Sequence, residues 1–361
     1  KAIDKVLLAG IPSMAVPLLS SDCRNTKVDE AWVDEMIRTP YVPASQSTRS
    51  YVHLMRAASD LFVPENLDQL APRIRSQAPL GEEAVTLEQI QSIDTVAATE
   101  HIAYDFLSRG GKHSRPFITL AAYDAMNGGK CTESSAEGAL GQIPVSVRRA
   151  AMSIETFHKA SLVHDDIEDD DAYRYGQLAV HRRFGLPTAI NVGDYLIGLG
   201  YRLLSRRDGG DEVPAEARAD VLDALASAHM RRAEGQGAEL LWRDTKDRRL
   251  TPLDALKVYA LKTSPAFEAA IYSGIRLACD ADPYRDAIRI FSRNLGVAFQ
   301  ILNDLGDWTG DDSNKLLAGG DVFGGRPTLL WALALQALSP EDASELLGLA
   351  EPDCGLSDEQ R

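Results

Sequence analysis

The chain has 361 residues, of which 45% are hydrophobic and 25% charged, a composition typical of a globular protein with a sizeable buried core. Its formal net charge of −15 argues against a nucleic-acid partner, because phosphates are met by basic surfaces, and also against electrostatic docking on anionic lipid. The four cysteines form no CxxC pair, so we expect structural thiols and neither a zinc site nor a disulfide framework.

The first part of the chain differs from the rest. Frequent prolines divide it, and only short helices are predicted, over 29–38 and 48–62. We therefore treat residues 1–85 as an N-terminal extension to which the sequence assigns no role. The uncharged run at 6–21 is short for a membrane span and is interrupted by glycine and proline. We expect no stable membrane insertion and a cytoplasmic location.

Long helices begin after Thr86. Thr86 and Gln89 have the spacing of a capping box, and a helical run follows to about Ser108, before Gly110. Further helices are predicted over 115–127, 144–164, 188–206, 215–246, 252–261, 265–279, 283–303 and 328–350. Because the alternation typical of strands is scarce, residues 86–361 are predicted to form one large all-α domain.

Two segments place oxygen-bearing side chains at the same spacing. They are Asp165, Asp166 and Asp169, and Asn303, Asp304 and Asp307. On a helix these positions point to one side, and crowded carboxylates are unfavourable unless a cation lies between them. Oxygen ligands suit Mg²⁺, which binds carboxylates together with substrate phosphates. Since both segments follow apolar helical stretches, we interpret them as a paired Mg²⁺ site and not as solvated helix ends.

The segment from Gly110 to Pro116 carries the opposite charge. It is a glycine turn followed by Lys112 and Arg115, with Pro116 at a predicted first helical position. A helix N-terminus with two cations at its mouth is suited to binding a diphosphate.

These elements stand in the order found in the trans-isoprenyl diphosphate synthase (polyprenyl synthetase) family, which the chain resembles over residues 86–350. Within the family, the resemblance is to geranylgeranyl diphosphate synthases. It implies that Lys112 and Arg115 bind isopentenyl diphosphate, joined by His158, which lies seven residues before Asp165.

The same resemblance assigns the allylic side of the site. It implies that the first acidic segment holds Mg²⁺ against the allylic diphosphate, which Arg174, Lys262 and Arg326 also contact. Thr263 and Gln300 are candidates for offering oxygen dipoles to the allylic cation.

Three positions depart from the family pattern. Tyr175 stands where a second arginine usually follows Arg174, so this diphosphate contact is either absent or supplied from elsewhere, with Arg182 or Arg183 as candidates. Asn303 replaces an aspartate, which keeps an oxygen but removes a charge. Arg326 replaces a lysine, which keeps the charge but changes the contact geometry.

The resemblance further implies the isoprenoid synthase type I fold, a helical bundle around a deep central cavity. The implied activity is that of a Mg²⁺-dependent prenyltransferase, a homodimer, which condenses isopentenyl diphosphate with an allylic diphosphate. The glycine-rich stretch at 318–325 is a candidate lid, or else a plain surface loop. Because few residues follow it, the C-terminal helices are expected to be incomplete.

The resemblance also implies that the growing chain descends beside the helix that ends at Asp165, so that the residues before Asp165 limit product length. Ser161 and Ala160 are small and lie about one turn below it, and Phe157 floors the pocket one turn deeper if it faces the cavity. We expect a product of about twenty carbons or longer, and we expect Ala160→Phe to shorten it.

Two other functions fit parts of this pattern. A class I terpene cyclase shares the metal-triggered ionisation but has no use for a second diphosphate site, so Lys112, Arg115 and His158 argue against it. A non-catalytic subunit of a heteromeric synthase is suggested by Tyr175 and Asn303, but the intact first acidic segment opposes it.

Overall fold

The computed structural model describes residues 54–81, 83–133, 139–206, 213–243, 249–307, 321 and 326–349, and most of these residues are helical. The helices are Pro64–Leu70 (α1), Leu87–Gln91 (α2), Thr95–Ser108 (α3), Ser114–Met126 (α4), Lys130–Glu133 (α5), Ala139–Gln142 (α6), Val145–Glu168 (α7), Val180–Phe184 (α8), Leu186–Ser205 (α9), Ala215–Arg243 (α10), Pro252–Lys262 (α11), Ser264–Ala278 (α12), Arg285–Asp307 (α13), Leu329–Ala337 (α14) and Pro340–Leu349 (α15). Residues 54–60 are also helical. A two-stranded antiparallel hairpin, Tyr173–Arg174 (β1) and Gln177–Leu178 (β2), follows α7, and Asp282–Tyr284 form a 3-10 turn. The all-α prediction is confirmed.

Most long helices begin and end close to their predicted bounds, since each carries a sustained apolar periodicity. The predicted capping box at α2 is present. The hydroxyl of Thr86 accepts the backbone N–H of Gln89 at 3.2 Å, and the side chain of Gln89 accepts the backbone N–H of Thr86 at 2.7 Å.

Two predicted helices are each divided in the structure. The run 86–108 breaks at Asp94, whose side chain accepts the N–H of Val96 at 3.0 Å and starts α3. The run 328–350 breaks before Pro340, which has no N–H to continue the preceding helix. The hairpin and the helices α5, α6 and α8 were not predicted, because segments this short carry no readable periodicity.

Helix α7 lies at the centre of the described fold. Buried residues occur on every side of it, among them Val147, Ile154, Thr156 and Val163. A helix buried all round needs neighbours on all its faces, and α4, α9, α10 and α12 pack around α7. The first acidic segment therefore occupies the C-terminal end of the most central helix.

The residues before position 85 pack into the same core. Leu54, Phe62 and Leu67 are fully or almost fully buried in the cluster that α7 belongs to. The hydroxyl of Tyr104 donates to the carbonyl of Ala71 at 2.6 Å. The domain boundary predicted at residue 85 thus does not coincide with a break in packing. The predicted helix at 29–38 lies outside the described residues.

Within the described ranges, no helix combines the length and the apolar character that a membrane crossing needs.

Candidate active site

One cavity lies between α7, α10, α12 and α13 and encloses about 810 Å³, counted out to the solvent at its mouth. Its polar lining residues are Arg115, His158, Asp165, His229, Arg232, Lys262, Thr263, Gln300 and Asn303. Its apolar lining residues include Leu162, Phe157 and Ile154. Along α7, Asp165 and Ile154 are separated by about 16 Å of helix axis. The charged side chains thus lie toward the Asp165 end, and the deeper part is lined by apolar side chains together with the imidazoles of His158 and His229.

The carboxylates at the end of α7 are buried and paired with arginines. Asp166 is 1% exposed and accepts from Nε of Arg174 at 2.9 Å. Asp165 accepts from the guanidinium of Arg232. The helix C-terminus is itself a region of negative potential, so carboxylates there need compensating cations. Burial alone would raise the pKa of Asp165, but Arg232 and Lys262 outweigh it and the net effect is to lower that pKa.

Asp169, the third member of the segment, is held between two arginines. Its carboxylate lies 3.1 Å from Arg243 and 3.0 Å from Arg326. Arg326 also donates to Asp321 at 3.0 Å, and these acidic neighbours raise its pKa although burial opposes that shift. Arg326, just before α14, therefore neutralises the charge of Asp169 and links it to Asp321.

Helix α10 contributes a stripe of polar residues that sequence reasoning missed. Its members are Arg232, Gln236, Glu239 and Arg243, spaced so that they share one face of the helix. The side-chain amide of Gln236 donates to Glu168 at 2.8 Å, and Glu239 forms a 2.8 Å ion pair with Lys262. Polar residues repeating on one helical face would ordinarily be assigned to solvent. Here Gln236 and Glu239 are buried, and that face lies against the site.

The second acidic segment does not point to one side as predicted. Asn303 lines the cavity, whereas Asp304 is 2% exposed and accepts from the hydroxyl of Tyr259 and from Nε2 of Gln300 at 3.2 Å. Burial raises the pKa of Asp304 to about 6, although the bond from Tyr259 opposes the shift. Asp307 accepts the backbone N–H of Asp321 at 3.0 Å.

The donor set fits a divalent cation, but the carboxylates are not gathered around one point. Among the described residues, no three His, Cys, Asp or Glu side chains converge closely enough to hold a metal. The reason is that guanidinium groups hold the first segment and Tyr259 holds Asp304. Oδ1 of Asp165, however, is buried and accepts no hydrogen bond from any described residue. An oxygen donor of this kind suits Mg²⁺.

Lys262 and Thr263 lie where α11 ends and α12 begins. The close approach of α10 depends on Gly235, since a Cβ there would stand 2.6 Å from the backbone nitrogen of Lys262. The Thr263 hydroxyl donates to Oε1 of Gln300 at 3.1 Å. The predicted pair Thr263 and Gln300 is thus brought together at the cavity wall.

Of the three residues assigned to isopentenyl diphosphate, Arg115 and His158 line the cavity. Arg115 is 8% exposed, and its guanidinium lies 5.1 Å from the ring centre of Phe267. His158 lines the cavity beside it. Burial, followed by Arg115 and Arg232, holds the pKa of His158 well below its ordinary value, so the imidazole is neutral. Lys112 is exposed in the preceding turn. Because α4 starts at Ser114, Pro116 is the third helical residue and not the first.

The two arginines offered as substitutes for the missing cation at 175 are engaged elsewhere. Arg182 pairs with Asp170 at 2.6 Å on the surface, and Arg183 donates to the carbonyl of Val85. The stretch 318–325 proposed as a lid lies, except for Asp321, outside the described residues.

Comparison with known proteins gives a consistent result. Residues 96–357 match the family model described as Polyprenyl synthetase. A short chain isoprenyl diphosphate synthase of Methanothermobacter thermautotrophicus is 28% identical, over 76% of this chain and 78% of its own. A geranylgeranyl diphosphate synthase of Sulfolobus acidocaldarius is 30% identical over 68% and 69%. The solved geranylgeranyl pyrophosphate synthetase from Pyrococcus horikoshii superimposes with a TM-score of 0.64 at 26% identity, covering 86% of this chain and 83% of that one.

Proposed function

The chain belongs to the polyprenyl synthetase family and is a trans-prenyl diphosphate synthase, and from this premise we propose how its cavity binds and joins the two substrates. The observation that carries the proposal is the two-part cavity. Cations and Asp165 lie at its mouth, and the deeper part, along about 16 Å of α7, is lined mainly by apolar side chains together with the uncharged rings of His158 and His229. A prenyl diphosphate has the same division into an anionic head and an apolar tail.

The allylic diphosphate binds between Asp165, Arg232 and Lys262. We assign Mg²⁺ to the carboxylates of Asp165, Asp166 and Asp169, with Asn303, Asp304 and Asp307 completing the site after rearrangement. When bound, Mg²⁺ supplies positive charge against the departing diphosphate. Support for this assignment comes from the buried, unbonded Oδ1 of Asp165 and from the all-oxygen donor set.

Condensation takes place just below the charged end. Arg115, Lys112 and the neutral His158 hold isopentenyl diphosphate, so that its double bond faces the allylic carbon. The oxygens of Thr263 and Gln300, which line the cavity at this level, orient their dipoles toward the cation. The apolar walls keep water from the cation, and the proton is lost to the released diphosphate, so no protein base is required.

Product length is set by Phe157. It lines the cavity, with its ring edge-to-face against Tyr201 at 4.9 Å and against His229 at 5.8 Å between ring centres. Ser161 lies on the same face of α7, between Phe157 and Asp165. Ala160, which the sequence predicted to border the product chain, instead lies about 140° around the helix from Asp165 and is completely buried, so Ala160→Phe is no longer expected to shorten the product. The proposed product therefore passes Ser161 and stops near Phe157, at about twenty carbons.

We also propose that the enzyme is a homodimer joined through α9. Leu186, Ile190 and Tyr201 are apolar or aromatic residues of this helix with 50%, 45% and 38% of their surface exposed. Val96 of α3 is 65% exposed, and the neighbouring Thr99 donates to Asn191 of α9 at 2.7 Å. Exposed apolar groups of this kind are typical of an interface with a second copy. A cytoplasmic location stays a prediction.

One assay tests the proposal as a whole. The purified protein is incubated with Mg²⁺, isopentenyl diphosphate and allylic diphosphates of increasing length, and products are identified by mass. We expect prenyl diphosphates of about twenty carbons, no turnover in excess chelator, and turnover reduced by orders of magnitude in Asp165→Asn. Hydrocarbons formed from an allylic diphosphate alone would instead indicate a cyclase. A lack of turnover with every allylic substrate would indicate a non-catalytic subunit.

A further inference from the structure

A completely buried lysine lies under the turn that carries Lys112. Lys159, the residue after His158 on α7, has 0% of its surface exposed. Its ammonium group donates to the backbone carbonyl of Arg109 and to that of Gly110, the latter at 2.9 Å. A lysine is almost never fully buried without partners, so this one has a structural task, and both of its hydrogen bonds reach the same turn.

Aromatic rings and one carboxylate complete the surroundings of this ammonium. It lies 4.3 Å from the ring centre of Tyr175 and 5.4 Å from that of Phe106. Glu155, one turn earlier on α7, is 2% exposed and contributes the opposing charge. Burial lowers the pKa of Lys159 to about 7, with Glu155 acting against the shift. Burial of the ammonium is therefore costly, and Glu155 and the two backbone carbonyls offset part of that cost.

The turn above the lysine has an unusual backbone. Gly110, Gly111 and His113 have φ angles of 55°, 98° and 46°, all in the left-handed region. A Cβ added to Gly110 would stand 2.4 Å from Cγ of Tyr175, so the ring rests directly on the turn. A left-handed conformation is unfavourable for a side chain such as that of His113. The turn therefore depends on contacts from outside itself.

We propose that Lys159 and Tyr175 form a clamp that fixes this turn in the shape that binds isopentenyl diphosphate. A trans peptide directs its N–H away from its C=O. With the carbonyls of Arg109 and Gly110 drawn inward to Lys159, the N–H groups of Gly110 and Gly111 face the exposed side of the turn. Successive N–H groups in such a turn form a concavity that binds anions. Lys159 is thus a positioning residue for the second diphosphate site.

The clamp also explains why tyrosine is suited to position 175. An arginine there would bring a second cation to within about 4 Å of the buried ammonium, where like charges repel strongly. The face of an aromatic ring instead attracts a cation. The identities of the side chains at 159 and 175 are therefore coupled, and this coupling can be measured.

The inference rests on the proposed function. The test is designed so that a failure of the clamp and a failure of the proposed function give different results. Lys159→Met keeps the length of the side chain but removes its charge and donors. Lys257→Met, at a lysine 63% exposed on α11, is the matched control. For each variant, folding is checked by thermal unfolding. KM is measured for each substrate in turn, and binding of isopentenyl diphosphate alone is measured by calorimetry.

We expect Lys159→Met to raise KM and Kd for isopentenyl diphosphate roughly tenfold or more, with KM for the allylic diphosphate changed less than about twofold. Tyr175→Arg should weaken the same affinity, and should weaken it less when combined with Lys159→Met. Tyr175→Ala should be more damaging than Tyr175→Phe. If the wild type is active and Lys159→Met binds isopentenyl diphosphate with unchanged affinity, the clamp is overturned. An inactive wild type would count against the proposed function instead. If Lys159→Met does not fold, Tyr175→Arg decides, because normal affinity in that variant would also overturn the clamp.

Discussion

Arg232 is the residue whose replacement most directly tests how the charged end of the cavity works. Its guanidinium bonds to Asp165 while also lining the cavity. Substrate and metal would use these two groups differently, since we assign Asp165 to the metal and Arg232 to the allylic diphosphate. We therefore predict opposite effects of Arg232→Met on the two ligands.

The size of one effect follows from the type of contact. A hydrogen bond between charged groups contributes about 1.5–3 kcal/mol, so KM for the allylic diphosphate should rise roughly 10- to 150-fold. Mg²⁺ binding to the substrate-free protein should become tighter, because the buried carboxylate of Asp165 loses its competing cation. Isopentenyl diphosphate affinity should change less than the allylic KM, since the residues assigned to contact it are Lys112, Arg115 and His158.

The assay combines steady-state kinetics with calorimetric titration of Mg²⁺ in the absence of substrate. Arg231→Met is the matched control, because Arg231 is the preceding residue on α10 but pairs with Glu268 at 2.8 Å and is 40% exposed. The reasoning is refuted if Arg232→Met leaves both the allylic KM and the Mg²⁺ affinity unchanged. It is equally refuted if Arg231→Met produces the same changes.

Three further predictions concern the tunnel, the core and the assembly. Phe157→Ala should lengthen the product by at least one five-carbon unit in mass spectra, whereas Ala160→Phe should lower the melting temperature without shortening the product, because Ala160 is packed away from the cavity. Unchanged products from Phe157→Ala would place the floor elsewhere. Glu100→Gln should lower the free energy of unfolding by roughly 1.5–3 kcal/mol at neutral pH, because its carboxylate accepts three backbone N–H groups at 2.6–2.9 Å. These bonds lower the pKa of Glu100 although burial opposes that shift, so the stabilisation is full above the ordinary value of 4.5 and is lost as pH falls through the lowered one. Denaturant curves should therefore converge for variant and wild type in acid, and a constant difference would contradict the assignment. Ile190→Glu should convert the proposed dimer to a monomer, as measured by light scattering. A wild type that is already monomeric would contradict the proposed interface.

The fold could be predicted from the sequence wherever a helix was long enough to repeat its apolar pattern. The position of the first acidic segment at the end of a long helix was also predictable, because it needs only the periodicity of that helix. The assignment of Mg²⁺ to Asp165, Asp166 and Asp169 stays a prediction. Helical geometry alone did not reveal the fate of Asp304. Its partner Tyr259 is 45 residues away in the chain and turns the carboxylate into the protein. Such a contact depends on how α11 and α13 pack, which no local pattern encodes.

The arginines of α10 show that residues can also lie at the site without any local sequence pattern that predicts it. Arg232 and Arg243 are ordinary basic residues in a helix whose sequence is polar along much of its length. They become site residues only because α10 lies against the C-terminal end of α7. The one available signal was their common spacing with Gln236 and Glu239, and that signal does not distinguish a solvated face from a buried one.

The contacts of residues 54–81 show that the packed core starts earlier in the chain than the match to the family model does. The match to the family model begins at residue 96, but the packed core begins earlier. A protein trimmed to that match would expose the pocket that Leu54, Phe62 and Leu67 fill. It would also leave the buried carboxylate of Glu100 without its three amide partners. Expression boundaries for this enzyme should therefore be drawn from packing and not from the limits of the family-model match.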